Sequence, residues 1–152
     1  MMRNALTLLA WIALTAVAAA VGALSQPGPW YTTLAKPSWT PPPWLFGPVW
    51  TVLYLMMAFA AWLAWRKTGW RGYAIPLFLL QLALNAAWSP LFFGLQRPGL
   101  AALDILCLLG ALSATIIAFS RISRPAAWLL APYFLWVSFA TALNLAIWHM
   151  NS

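Results

Sequence analysis

Five apolar runs, each about twenty residues long, constrain this chain more than any other feature. They are Ala5–Leu24, Leu45–Trp65, Tyr73–Phe93, Gly99–Ser120 and Ala126–Trp148. A helix of that length matches the ~30 Å hydrocarbon core of a bilayer at ~1.5 Å per residue. Lipid offers no partner to backbone N–H and C=O groups, so each run must satisfy its own as an α-helix. Composition excludes a soluble globule: 64% of the 152 residues are hydrophobic and 6% are charged, against about 25% charged in an average soluble domain. The expected fold is an all-α membrane protein, one five-transmembrane-helix bundle occupying residues 1–152. Arg3 and the small residues after the first run also suit a signal peptide, but the length of the run favours a retained span.

Charge gives the orientation. Arg3, Arg66, Lys67, Arg71, Arg121 and Arg124 fall on one side of the predicted bundle, and Lys36 and Arg97 on the other. In a bacterial cell membrane this bias places the amino terminus in the cytoplasm and the carboxyl terminus outside. The basic residues are scattered singly or in pairs, so nucleic-acid binding is set aside. Asp104 is the only acid and lies within the fourth run. An intramembrane acid is a functional candidate. The structural alternative, ranked first, is pairing with Arg97 or Lys36, or hydrogen bonding to Asn144 or a loop backbone.

One connection is long: SQPGPWYTTLAKPSWTPPPW, residues 25–44. Its six prolines alone suit a stiff linker. Trp30, Tyr31, Leu34, Trp39 and Trp44 are interleaved with them, however, and a disordered linker is usually poor in aromatics. The expectation is an ordered cap over the helix ends, and an interfacial tryptophan belt is the alternative.

Helical spacing groups the polar and aromatic residues into stripes. Gln81, Asn85, Trp88 and Phe92 share one face of the third span. Trp50, Tyr54 and Met57 share a face of the second, and Tyr133, Trp136, Ala140 and either Leu143 or Asn144 a face of the fifth. Amides are costly in lipid, so these faces should meet protein or a cavity. Converging, they would wall an aromatic pocket with a few polar handles, suited to planar ligands. By spacing alone, ordinary core packing ranks first. Pro90 and Pro132 each delete a helical hydrogen bond, which could open a cavity or simply kink a helix.

The segments WYTTLAKPSWTPPPWLFGPVWTVLY, QLALNAAWSPLFFG and PYFLWVSFATALN resemble the first loop with the second span, the third span and the fifth span of a known family. This is the tryptophan-rich sensory protein family, also called translocator proteins or peripheral-type benzodiazepine receptors. The resemblance implies a five-helix bundle, usually a homodimer, with a ligand pocket opening toward the first loop. It implies binding of porphyrins, such as protoporphyrin IX or haem, and of isoquinoline-carboxamide and benzodiazepine drugs. It also reverses the ranking of pocket over core. The pocket residues it implies are Trp50, Asn85, Trp88, Trp136, Ala140 and Leu143, with Ala23, Phe46, Gly47, Val49 and Cys107 in less distinctive surroundings. Tyr31 and Tyr54, on the same loop and face, join the candidate ligand contacts. Animal members bind cholesterol, but the consensus Tyr after the fifth-span Leu143–Asn144 is replaced by Leu145, which weakens any expectation of sterol binding. Arg71–Tyr73–Leu77 fits only the short reversed pattern.

Conventional catalysis lacks its parts. One Asp, one His and no Glu supply neither a carboxylate pair nor a supported triad. His149 and Cys107 are too few soft ligands for a structural zinc site, and no metal or required cofactor is expected. Three functional classes stay open: a porphyrin receptor or sensor that moves its ligand or regulates its level; light- and oxygen-dependent porphyrin breakdown using Trp50 and Trp136; and a membrane scaffold without a small ligand.

Overall fold

The computed structural model describes residues 2–152. Its helices are α1 (Met2–Ala23), α2 (Pro29–Thr33), α3 (Pro43–Thr68), α4 (Ala74–Ser89), α5 (Pro98–Ile122), α6 (Arg124–Leu129) and α7 (Ala131–Met150), with a π-helical turn at Pro90–Gly94. They make five spans: Met2–Ala23, Pro43–Thr68, Ala74–Gly94, Pro98–Ile122 and Arg124–Met150. The expected five-helix bundle is the observed fold, and each span begins and ends within about three residues of its apolar run.

The prolines act as local chemistry dictates. Pro90 cannot donate, and the chain answers with a wider turn in which the Leu95 N–H reaches the Pro90 carbonyl at 2.8 Å. Pro132 splits the last span into α6 and α7 around Leu130. Gly69 ends α3 at φ 58°, its N–H bonded to the Trp65 carbonyl at 2.7 Å, a backbone state that favours glycine.

Packing orders the spans as a closed ring. Span one touches spans two and three, span three touches four, four touches five, and five returns to two through α6. The core is densest toward the basic end, where Met57, Ala58, Ala60, Ala61, Ala64, Phe78 and Phe119 are fully buried. Alanines there let the helices approach closely, and apolar packing rather than hydrophobic exclusion holds them in lipid. The same end is tied by polar contacts. Trp62 Nε1 donates to the Asn4 carbonyl at 3.2 Å, and Lys67 Nζ to the Ile122 carbonyl at 3.0 Å. Toward the other end the spans part, and the first loop fills over the gap.

Candidate functional site

The gap is a cavity of about 1460 Å³ in the loop-side half of the bundle. Every span contributes to its wall. Helical spacing places Phe46, Gly47, Trp50 and Tyr54 of α3 on it, Asn85 and Trp88 of α4, and Phe92 of the π turn. From α7 come Trp136, Ala140, Leu143 and Asn144, and from α5 Ile105 and Leu108. Pro27, Gly28, Tyr31, Thr32, Lys36, Thr40 and Pro41 close it from the loop.

Two aromatic clusters form the sides. In one, Trp50 and Trp136 meet edge to face at 6.4 Å, Trp50 leans on Tyr54 at 5.6 Å, and Phe46 meets Trp136 at 5.8 Å. In the other, Trp88 stacks on Phe92 at 5.1 Å, and Tyr31 packs edge-on against Phe92 and Phe93 at 6.2 and 5.3 Å. Burial pushes the Tyr31 phenol above its ordinary range, so it stays a neutral hydroxyl.

The floor is a hydrogen-bonded chain linking three spans. Tyr54 donates to Asn85 Oδ1. Asn85 Nδ2 donates to the Tyr133 hydroxyl at 2.8 Å, and Tyr133 donates to Gln81 Oε1 at 2.9 Å. Tyr54 and Asn85 face the cavity, whereas Gln81 and Tyr133 are fully buried beneath it. Both amides are thus partnered between helices, and of the two only Asn85 reaches the cavity. A second amide, Asn144, accepts from Trp88 Nε1 at 2.9 Å and donates to the Pro98 carbonyl at 2.9 Å.

The loop is held by specific contacts. Lys36 Nζ donates to the Tyr31 and Leu34 carbonyls at 2.7 and 3.0 Å, and sits 4.6 Å from the Tyr31 ring centroid. Asn151 Oδ1 accepts from the Ala35 N–H at 3.0 Å, while its Nδ2 donates to the Ala35 carbonyl at 2.9 Å. Trp39 packs edge-on against Phe139 at 5.7 Å. Trp44, 72% exposed, is free to meet the interface.

Of the residues expected at the site, Ala23, Tyr31, Phe46, Gly47, Trp50, Tyr54, Asn85, Trp88, Trp136, Ala140 and Leu143 come together on this wall. Two do not. Val49 packs into the bundle core beside the cavity. Cys107 is exposed on the outer side of α5, one position from the inward-facing Leu108. The partners expected for Asp104 are corrected. Lys36 is taken up by loop carbonyls, and both ends of the Asn144 amide are engaged elsewhere. Asp104 is buried, and its Oδ2 has no hydrogen-bond partner among the described residues. His149 is exposed at the end of α7, away from the cavity wall.

The contribution of α1 escapes a reading by polar and aromatic stripes. Ile12, Thr15, Ala16, Ala19 and Gly22 line one side of the cavity. Their helical spacing is regular, and small side chains are what leave the space.

Much of this wall lies in the segments that carry the sequence resemblance, and comparison with known proteins decides the matter. The TspO/MBR family model matches residues 8–149. The chain belongs to the TspO/MBR family. The tryptophan-rich protein TspO of Chlorobaculum tepidum is 44% identical, covering 99% of each chain. The human translocator protein is 45% identical over 80% of this chain and 75% of its own. The CrtK protein of Rhodobacter capsulatus is 36% identical over 90% of this chain and 87% of its own. This TspO/MBR protein is a multi-pass integral membrane protein with five spans.

Proposed function

We propose that the protein is a membrane receptor or sensor that binds porphyrins, such as protoporphyrin IX or haem, and hydrophobic drug-like molecules in the loop-capped cavity. The observation that carries this reading is the wall itself: Trp50, Trp136, Trp88 and Phe92 around a mostly apolar space, with Asn85 at its floor. Flat conjugated ligands stack on such faces, and the amide orients them. Its volume exceeds the roughly 300–1,000 Å³ usual for drug-sized ligands, which suits a tetrapyrrole. The floor formed by Tyr133 and Gln81 favours holding a ligand over passing it straight through. The isoquinoline-carboxamide and benzodiazepine classes fit the same wall by the same chemistry, whereas sterol binding draws no support from its fifth-span residues.

A second reading is favoured by one observation: Trp50 and Trp136 touch each other and both face the cavity. A porphyrin bound there, under light and oxygen, would have two oxidisable indoles against it. One titration separates the classes. Protoporphyrin IX added to detergent-purified protein should quench tryptophan fluorescence saturably in the dark, and absence of quenching would leave the scaffold reading. Conversion of the porphyrin under light, lost in Trp50→Phe/Trp136→Phe, would establish the breakdown activity. Wild-type conversion by that variant would remove these residues from it.

The assembly we infer is a homodimer through span three. Leu80 and Ala83 are exposed on one outer face of α4, with half-buried Ala87 one turn further on. The bias of basic residues supports an amino terminus in the cytoplasm of a bacterial cell.

A further inference from the structure

We propose that an acyl chain of a bilayer phospholipid enters the cavity sideways, through a slot between spans one and two. The two helices are joined toward the basic end, where Ala58 is 0% exposed and Trp62 Nε1 donates to the Asn4 carbonyl. Gly47, Thr51 and Leu55 continue, toward the loop, the face of α3 that Ala58 and Trp62 occupy. They line the cavity, yet all three are exposed, Leu55 by 44%. On α1, Ala16 and Ala23 likewise line the cavity and are exposed. The loop end of α1 leans instead on span three: a Cβ added at Gly22 would lie 3.8 Å from Ser89 Oγ. One added at Gly47 would meet nothing within 4 Å. The two helices therefore part toward the loop, and small residues on both sides leave the slot between them.

The slot lies at the depth of the lipid chains. Trp44, 72% exposed, stands where an interfacial ring belongs. Thr51 and Leu55 follow it by seven and eleven positions, roughly 10 and 16 Å along the helix. Beside the lips, Val17 of α1 is 61% exposed and Val52 of α3 is 55% exposed, so the cavity wall runs directly into the lipid-facing surface. The cavity wall extends up to Pro27 and Pro43 at the loop end, so a chain can pass in while its glycerol and headgroup stay outside. Both lips are on α1 and α3, apart from the outer face of α4 assigned to the dimer.

The chemistry of the wall suits an occupant without polar groups. Several wall side chains that could demand a polar partner already have one within the protein. Thr51 Oγ1 donates to the Gly47 carbonyl at 2.9 Å, and Thr15 Oγ1 to the Ile12 carbonyl at 3.1 Å. Trp88 Nε1 donates to Asn144 Oδ1, and at the floor Tyr54 donates to Asn85. A methylene chain orphans none of these groups and supplies dispersion contacts along the apolar wall. Leaving the bilayer costs such a chain little, because it exchanges one apolar surrounding for another. The inference does not rest on porphyrin binding, although a chain held there would compete with a porphyrin for the same faces.

The test is photolabelling of the full chain in phospholipid nanodiscs, without porphyrin, read by peptide mass spectrometry. The probe is a phosphatidylcholine with a diazirine midway along one acyl chain. Ile105 and Leu108 line the cavity from span four, opposite the slot, and are 3% and 2% exposed, so lipid outside the bundle does not reach them. Both should be labelled, as should Leu103 on the outer face of the same helix, which is 61% exposed. Ala16→Leu/Gly47→Leu/Thr51→Leu fills the slot and should lower the label on Ile105 and Leu108 several-fold while leaving that on Leu103 unchanged. Label on Leu103 with none on the wall would overturn the proposal. Undiminished wall label in the triple variant would overturn the slot as the route. Wall label from a diazirine fatty acid, with none from the phosphatidylcholine, would overturn the phospholipid assignment in favour of a free acid. If the triple variant does not fold, Gly47→Leu alone places its side chain in open space. It should still lower the wall label, and an unchanged label there would count against the slot.

Discussion

Replacing Tyr133 with Phe removes a single oxygen, yet it unpairs two buried groups. Asn85 Nδ2 loses its acceptor at 2.8 Å and Gln81 Oε1 loses its donor at 2.9 Å. Gln81, 0% exposed, cannot turn to water, and Asn85, 7% exposed, meets only the cavity. In soluble proteins an orphaned buried group costs about 1–3 kcal/mol. In membrane helix bundles a measured side-chain hydrogen bond averages ~0.6 kcal/mol and reaches ~1.7, because the unfolded helices find other partners in the membrane. Two bonds at the membrane values give about 1–3 kcal/mol, and that range is the expectation for Tyr133→Phe. The assay is equilibrium unfolding by sodium dodecyl sulfate in mixed micelles, followed by near-ultraviolet circular dichroism. Adding Gln81→Leu to Tyr133→Phe removes one of the two orphans, so the double variant should be less destabilised than the sum of the singles. Strict additivity, or a Tyr133→Phe variant as stable as wild type, would refute the view that this chain of bonds secures the floor.

Four further outcomes are expected. Asn151→Ala removes both bonds to the Ala35 backbone; at ~0.5–1.5 kcal/mol each, protoporphyrin should dissociate several-fold faster in stopped-flow fluorescence, and an unchanged rate would mean that the loop is held without this clasp. Ala140→Thr adds volume to the cavity wall beside Trp136; overpacking costs of ~1–3 kcal/mol should weaken porphyrin affinity in the same titration, and equal affinity would place the ligand elsewhere. Ala83→Trp puts a bulky ring on the outer face of span three, and the protein should elute as a monomer in mild detergent if that face is the dimer contact. Reporter fusions at the two ends should report opposite compartments, and a shared compartment would contradict five spans.

Much of the site was legible in the sequence where chemistry makes position costly. Gln81 and Asn85 could not face lipid, so the stripe they share with Trp88 and Phe92 had to point inward, and it does. Prolines interleaved with aromatics argued against a loose linker, and Tyr31, Lys36 and Pro41 of loop 25–44 line the cavity. Beyond Ala23, the side provided by α1 was not legible, because Thr15, Ala16, Ala19 and Gly22 act by being small. Small residues in a span are equally consistent with close packing, with exposure to lipid and with a cavity.

The sequence by itself determined the number of spans, their approximate ends and the gathering of six basic residues at one end, because lipid thickness and charge burial act on each segment separately. It also determined where α-helical bonding must fail, at Pro90 and Pro132. Only the tertiary structure decided the ring order of the spans, which depends on how whole helix surfaces fit together. That order decided the rest. Tyr133 lies beneath the floor instead of facing the cavity, and Val49 packs beside it. Asp104 Oδ2 is left without the partners that a shared end of the bundle suggested. Ala35 and Asn151, 116 positions apart, are clasped together, since a contact between distant segments is fixed by packing and has no signature in the spacing of residues along one chain.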